Sequence, residues 1–225
     1  MTSAAGPPRA GGPPTDAAAY ADRFAAESPE IRAARHRATA AVGALGTVPP
    51  VEPAVGATLA VLAATVGARS VVTLGGGGGV AGLWLLQGMQ PDGVLTALDA
   101  DPTELRAARR TFGEAGVPPG RTRLIFGTPA EVLPRLSSGA YDLVSCAGPP
   151  AEYSGQLRAL LGLIRAGGSL VLHGLLADNR VGDRSARDPQ TLAWREMVKA
   201  VKEDEGLVCA VLPVGDGLLV ATKRT

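Results

Sequence analysis

The chemistry of this sequence concentrates at one glycine tract and at an acid that follows it. Residues 71–79 read Val-Val-Thr-Leu-Gly-Gly-Gly-Gly-Gly, a short apolar run feeding five consecutive glycines. Glycine permits positive φ and lets a ligand approach the backbone with no Cβ in the way. Asp99 stands 24 residues after Gly75, at the end of the next apolar run. A carboxylate placed there can accept two hydrogen bonds from a ribose diol. Turn and acid together therefore read as an adenosine-cofactor site at the carboxyl edge of a sheet. The alternative is a glycine-rich turn without a ligand. His173, at the end of a later apolar run, is the other residue able to do chemistry. An imidazole with an ordinary pKa near 6.5 suits a general base that takes a proton from a hydroxyl. The plainer reading is a strand-end histidine bonded to a backbone carbonyl. Asp101 reads as a helix N-cap, and Cys146, Trp84 and Met89 read as core side chains.

The elements that must position these groups can be read from pattern. Thr15 or Asp16 can cap a helix running through Tyr20 and Phe24 towards Glu27. Ser28-Pro29-Glu30 then pairs an N-cap with proline at the first helical position. That second helix, ending near Gly46, carries Arg32, Arg35, His36 and Arg37 on its polar side. The basic cluster reads as a solvated face rather than a phosphate site. A third, apolar helix is expected over 53–66. From there strands are expected at 70–74, 94–98, 122–126, 141–147 and 169–173. Helices are expected at 80–89, 102–115, 129–136 and 151–164, with Gly167-Gly168 as a helix stop. Strands alternating with helices imply parallel βαβ units. After a helix at 189–205, runs at 207–213 and 217–222 flank Gly215-Asp216-Gly217 and form a β-hairpin. The expected fold is a Rossmann-like, doubly wound α/β sheet of seven strands, mostly parallel with an antiparallel C-terminal hairpin and preceded by N-terminal helices.

Composition limits the alternatives. The 225 residues are 46% hydrophobic and 19% charged, with 22 Lys and Arg against 21 Asp and Glu. That near-neutral balance offers no footprint for nucleic acid or an acidic membrane surface. Of the 30 glycines and 18 prolines, a cluster falls within residues 6–14, where large apolar side chains are missing. Residues 1–14 are therefore expected to be a disordered leader, followed by a single domain over 15–225, with helices over 15–66 and the core over 67–225. Residues 70–91 carry no charge, yet five glycines argue against a lipid-exposed helix. Two cysteines without metal-ligand spacing, and no apolar leader, read as free thiols of a cytoplasmic protein.

With those residues in hand, the chain resembles the class I SAM-dependent methyltransferases, and within them the small O-methyltransferases related to catechol and caffeoyl-CoA O-methyltransferase. The likeness runs from about Tyr20 to the C-terminus and is densest over 67–102, 120–136, 140–144 and 212–222. It implies that Val51 packs on the cofactor, that Gly75 and Gly77 lie beneath its methionine part, that Asp99 holds the ribose and that Ala100 lies beside the adenine. Thr73, Gly76 and Ala81 match cofactor-contact positions where the family usually has Glu, Thr and Ser. Pro129 matches a position whose N–H commonly meets the adenine, and proline has none. The family's Mg²⁺ ligands would fall at Ala147-Gly148-Pro149 and at His173-Gly174, and its catalytic Lys at Pro150, so no divalent metal is expected. The cofactor implied is S-adenosyl-L-methionine and the acceptor a small hydroxylated molecule lying around residues 147–153 and 173–187. Homodimerisation through the N-terminal helices is implied as well. Two other readings stay open: a catalytically inactive binding protein that keeps the fold, and an NAD-dependent oxidoreductase resting on Gly77, Gly79 and Gly82. The terminal hairpin disfavours the last.

Overall fold

In the computed structural model, which describes residues 17–45 and 49–225, strands and helices alternate around one sheet. The expected leader over 1–14 and the caps Thr15 and Asp16 lie outside the described residues. Three helices come first: α1 (Ala17–Phe24), α2 (Pro29–Leu45) and α3 (Pro53–Thr65). Then follow β1 (Ser70–Leu74), α4 (Val80–Gly88), β2 (Val94–Asp99), α5 (Pro102–Glu114), β3 (Thr122–Phe126) and α6 (Pro129–Val132). The chain closes with β4 (Tyr141–Cys146), α7 (Leu157–Leu163), β5 (Ile164–His173), α8 (Pro189–Glu203), β6 (Leu207–Leu212) and β7 (Leu218–Lys223).

The described residues form a seven-stranded sheet ordered β3-β2-β1-β4-β5-β7-β6. β1 to β5 run parallel, and β7 enters antiparallel between β5 and β6. The expected fold and its terminal hairpin are therefore both present. Side chains alternate between two buried layers. Val72, Val144, Leu170 and Leu172 face α7 and α8, where Trp194 and Met197 pack. Val71, Leu143 and Val171 face α3, α4 and α5, where Leu59, Trp84 and Phe112 pack. A parallel sheet covered on both faces needs such continuous apolar strands. Strand order reverses between β1 and β4, so their carboxyl ends open a crevice at the switch point.

Two expectations over the later helices need correction. The helix expected over 151–164 is two 3₁₀ turns followed by the shorter α7, and the one over 129–136 ends as a 3₁₀ turn. Gly167-Gly168 does not stop a helix; it lies inside β5, where the register against β4 jumps. A side chain at 168 would begin 2.9 and 3.0 Å from the carbonyls of Asp142 and Tyr141. The glycines serve a bulge, which the pattern of a helix stop imitates.

The amino end of the sheet is stapled by Asp142. Its Oδ2 accepts the amides of Arg69 and Ser70 at 2.7 and 2.8 Å, and its Oδ1 accepts Nε of Arg165 at 2.6 Å. Burial pushes this carboxyl up, but the two amides and the guanidinium outweigh it and hold it below its ordinary value. Asp142→Asn should lower unfolding free energy by about 2 kcal/mol at pH 7. A carboxyl with a depressed folded pKa stabilises above its unfolded pKa and loses that contribution as pH falls through the folded one. The gap between wild type and variant in urea titrations should therefore close below about pH 4.

Candidate functional site

The glycine tract leaves β1 and turns over its carboxyl end. Gly75 to Gly79 all have positive φ, from 55° to 135°. A side chain at Gly75 would begin 2.6 Å from the carbonyl oxygen of Ala147, and one at Gly77 would begin 2.6 Å from Cα of Pro50. The turn is thus wedged between the end of β4 and the segment preceding α3, with room for backbone alone. Gly75 N donates to Leu98 O at 3.1 Å and Ala147 N to Leu74 O at 2.9 Å, which sets the ends of β1, β2 and β4 side by side. Glu104 on α5 accepts the amide of Gly78 at 2.6 Å, tying the turn to the next helix.

A cavity of about 320 Å³ lies beside this turn, lined by Leu74, Gly75, Leu98, Asp99, Ala100, Pro129, Ala147, Glu152 and Tyr153, among others. Asp99 Oδ1 accepts the amide of Asp101 at 2.8 Å. Burial raises its carboxyl above the ordinary value, with the Asp101 charge adding to that, against the pull of backbone amides. Burial likewise raises Glu104 and Glu152, and the charge of Asp99 adds to both. Asp101 caps α5 by accepting Thr103 N at 2.7 Å, as its position suggested.

A second cavity, of about 540 Å³, adjoins the first at Ala147, which lines both. Pro49, Pro50 and Val51 form one wall, Ala147, Gly148 and Pro149 another, and His173 sits with Gly174, Gln190, Asp216 and Leu218. The first wall is set by α1, whose Asp22 accepts the amide of Ala54 at 2.9 Å in the first turn of α3. Strand alternation places Ser145 and His173 on one face of neighbouring strands, and Ser145 Oγ lies 2.8 Å from Nε2 of His173. His173 is 7% exposed, and its Nδ1 has no partner. Burial pushes the imidazole down to about 4, so it is neutral at pH 7. Its partner is a side-chain hydroxyl, a third possibility beside free base and carbonyl-bonded ring.

The residues expected at the site divide by layer. Gly75, Asp99 and Ala100 line the first cavity, and Val51 and His173 the second. Thr73 and Gly76 lie on the inner side of the turn, where the Thr73 hydroxyl donates to Gly75 O at 3.3 Å. Ala81 is fully buried under Gly76, and Gly77 packs on Pro50. Of the acceptor segments, 147–149 and 173–174 line the second cavity, while Glu152 and Tyr153 line the first. Ser145, Glu104, Glu52 and Asp216 were not singled out in the sequence. Ser145 could have been found from its strand parity with His173; the others meet the site only through tertiary packing. Trp84, Met89 and Cys146 are core residues as expected. In the basic cluster, Arg35 pairs with Glu27 at 2.6 Å and Arg37 with Glu114 at 2.7 Å, so two of its cations clamp neighbouring elements rather than face solvent alone.

A sequence profile of the O-methyltransferase family matches residues 24–224. A protein of Mycobacteroides abscessus that bears an O-methyltransferase name is 44% identical over 204 residues, covering 91% of this chain and 93% of its own. One from Mycolicibacterium smegmatis, named likewise, is 46% identical over 204 residues, covering 91% and 95%. Among solved structures, a Corynebacterium glutamicum protein superposes with a TM-score of 0.80 at 32% identity, covering 90% of this chain and 94% of that one. Cofactor-bound Rv0187 from MTB superposes with a TM-score of 0.82 at 26% identity, covering 95% and 99%.

The buried neutral imidazole has a consequence for stability. The unfolded chain takes up a proton on this ring below about pH 6.5, and the folded chain only below about 4, so stability falls as pH drops through that window. Urea titrations from pH 7 to pH 4 should show wild type losing about 3 kcal/mol more than His173→Asn. Parallel profiles for the two proteins would mean that the ring titrates freely.

Proposed function

The chain belongs to the O-methyltransferase family, and from that premise we propose that it transfers a methyl group from S-adenosyl-L-methionine to a hydroxyl of a small molecule without a divalent metal. The observation behind this reading is the pair of cavities that meet at Ala147, one walled by the glycine turn and Asp99, the other by a neutral histidine with an unpaired nitrogen. The residues present fit the cofactor. Asp99 is placed to accept from a ribose diol, Ala100 lies beside it, and Gly75, Gly76 and Gly77 offer a turn of bare backbone next to them. Val51 lies across from them on the second cavity, while Thr73 and Ala81 shape the turn from below. When bound, the cofactor supplies a methyl carbon made electrophilic by the adjoining sulfonium.

The chain's own work is positioning and handling one proton. In-line transfer needs the acceptor oxygen held against the methyl carbon in a site closed to water. Ala147 offers no side chain between the cavities beyond a methyl group. For His173 to act as base, Nε2 must donate its hydrogen to Ser145 Oγ, which leaves the Nδ1 lone pair for the acceptor hydroxyl. A ring with so low a pKa takes the proton late, once the oxygen has begun to bond to carbon and its proton has become acidic. The proton then rests on Nδ1 until solvent removes it. Metal independence is supported by the donor set, since Ala147, Gly148, Pro149 and Gly174 offer no side-chain oxygen at the places where the resembled enzymes hold Mg²⁺.

Fold relatives bound to this cofactor or its demethylated product support the same reading: a Streptomyces achromogenes O-methyltransferase in complex with SAM and one from Bacillus cereus in complex with SAH, each at 20% identity. We also infer a homodimer through the N-terminal helices. Tyr20 and Phe24 stack on α1 with centroids 6.5 Å apart, and both are exposed, as is Val61 on the helix α1 packs against. The unpaired thiols Cys146 and Cys209 fit a cytoplasmic setting.

Calorimetry should show S-adenosyl-L-homocysteine binding with the same affinity in Mg²⁺ and in EDTA, and NAD not binding. Failure of the homocysteine product to bind would favour the non-catalytic reading. With a turned-over acceptor, His173→Gln should lower kcat about a hundredfold and leave product affinity within about twofold. Light scattering should give a dimer mass for the wild type and a monomer mass for Phe24→Glu.

A further inference from the structure

The second cavity has a charge pattern that the proposed methyl transfer does not by itself require. Its charged lining residues are Glu52 and Asp216, and no Lys or Arg lines it. Among the described residues neither carboxylate has an ion-pair partner, although eight ion pairs form elsewhere. Both are exposed and both are held near the same rim. Glu52 Oε2 lies 3.0 Å from where a side chain at Gly215 would begin. Asp216 accepts the amide of Asp178 through Oδ1 at 2.9 Å, while Oδ2 lies over Gly174, 3.9 Å from where a side chain there would begin. The loop that supplies this amide is itself constrained, with Ala177, Asp178 and Asn179 all at positive φ between 46° and 65°. Backbone held in that region against its preference is a feature of built sites.

His173 lines the same cavity; its ring is more than nine-tenths buried, and its enclosed Nδ1 has no hydrogen-bond partner among the described residues. A buried polar atom without a partner calls for one from a ligand. His173 pairs in register with Leu218 at the start of β7, and Asp216 stands two residues before that partner, in the turn that precedes the strand. Because His173, Glu52 and Asp216 line one cavity, a ligand that turns its hydroxyl to the histidine shares that cavity with two carboxylates.

We propose that Glu52 and Asp216 are specificity-determining residues that select acceptors bearing a protonated amine at the end remote from the hydroxyl and disfavour acceptors bearing a carboxylate there. This rests on the reading of the second cavity as the acceptor site. It follows from complementarity at the rim: an ammonium gains two carboxylates that lack an ion-pair partner, and an anion meets repulsion with no cation among the lining residues to relieve it.

Three phenols that differ at one end test the idea: tyramine, 4-ethylphenol and 3-(4-hydroxyphenyl)propionate, each titrated by calorimetry into protein saturated with S-adenosyl-L-homocysteine. Tyramine should bind about fivefold more tightly than 4-ethylphenol, and the propionate about fivefold more weakly, as two partly exposed charges allow. Glu52→Gln with Asp216→Asn should bring the three within about twofold of one another while product affinity holds. Glu52→Gln alone, at an exposed side chain with no hydrogen bond, gives the same comparison at half strength should the double variant melt early. If the homocysteine product fails to bind the wild type, the underlying acceptor-site reading falls. If it binds, the proposal is overturned by a propionate that matches tyramine, by all three phenols failing to bind, or by a double variant that changes product affinity and leaves the ranking intact.

Discussion

The close approach of three pieces of backbone at the glycine turn governs this molecule. Gly75 lies against the carbonyl of Ala147 and Gly77 against Pro50, at distances that admit no Cβ. Because β1 and β4 part at this point, the same contact that closes the turn opens the crevice beside it. The Pro49–Val51 wall, the end of β4 and the start of α4 are all located by it. A turn built this way meets a cofactor with peptide groups rather than side chains. On the proposed reading, that lets the turn serve a cofactor although Thr73, Gly76 and Ala81 bring few polar side chains to it.

Acids are used in opposite ways at the two ends of the sheet. At the amino end, Asp142 is saturated by two amides and a guanidinium, and its carboxyl is held low. At the carboxyl end, Asp99, Glu104 and Glu152 have no ion-pair partner among the described residues, and burial, with the charges of Asp99 or Asp101 adding, raises all three. The first arrangement spends its charge on the fold. The second leaves hydrogen-bonding capacity unspent, which is the condition for binding something else. His173 extends the contrast: it is buried, neutral and half-satisfied, directly after Leu170, Val171 and Leu172, which are wholly committed to packing.

Much of this was legible from pattern because the deciding constraints are local. Apolar runs of five or six residues, punctuated by glycine and proline caps, located β1, β3, the α5 cap at Asp101 and the C-terminal hairpin. Glycines followed by an acid at a set spacing picked out Gly75 and Asp99, which line one cavity. Where reading failed, the information was not local. Gly167-Gly168 has the chemistry of a helix stop, and only the register against β4 makes it a bulge. The Ala151–Ile164 stretch looks helical by composition, yet Pro149, Pro150 and the packing of Tyr153 against Trp194 tighten its first half into 3₁₀ turns. Glu52 and Asp216 lie far apart in sequence and come to one cavity only when the turn between β6 and β7 folds against the start of α3. Ser145 reads as a core serine until its strand is set beside β5.

The outermost strand has a practical side. β6 is an edge strand whose Val208, Cys209, Ala210 and Val211 are exposed, while the chain's other thiol, Cys146, is wholly enclosed and burial pushes its ionisation far up. Thiolate, not thiol, is the reacting species, so Cys146 is inert to alkylating reagents in the folded protein. A maleimide dye therefore addresses a single place on each chain, at the rim of the sheet farthest from β3, without any engineered cysteine. The molecule comes with its own attachment point for fluorescence or spin labels.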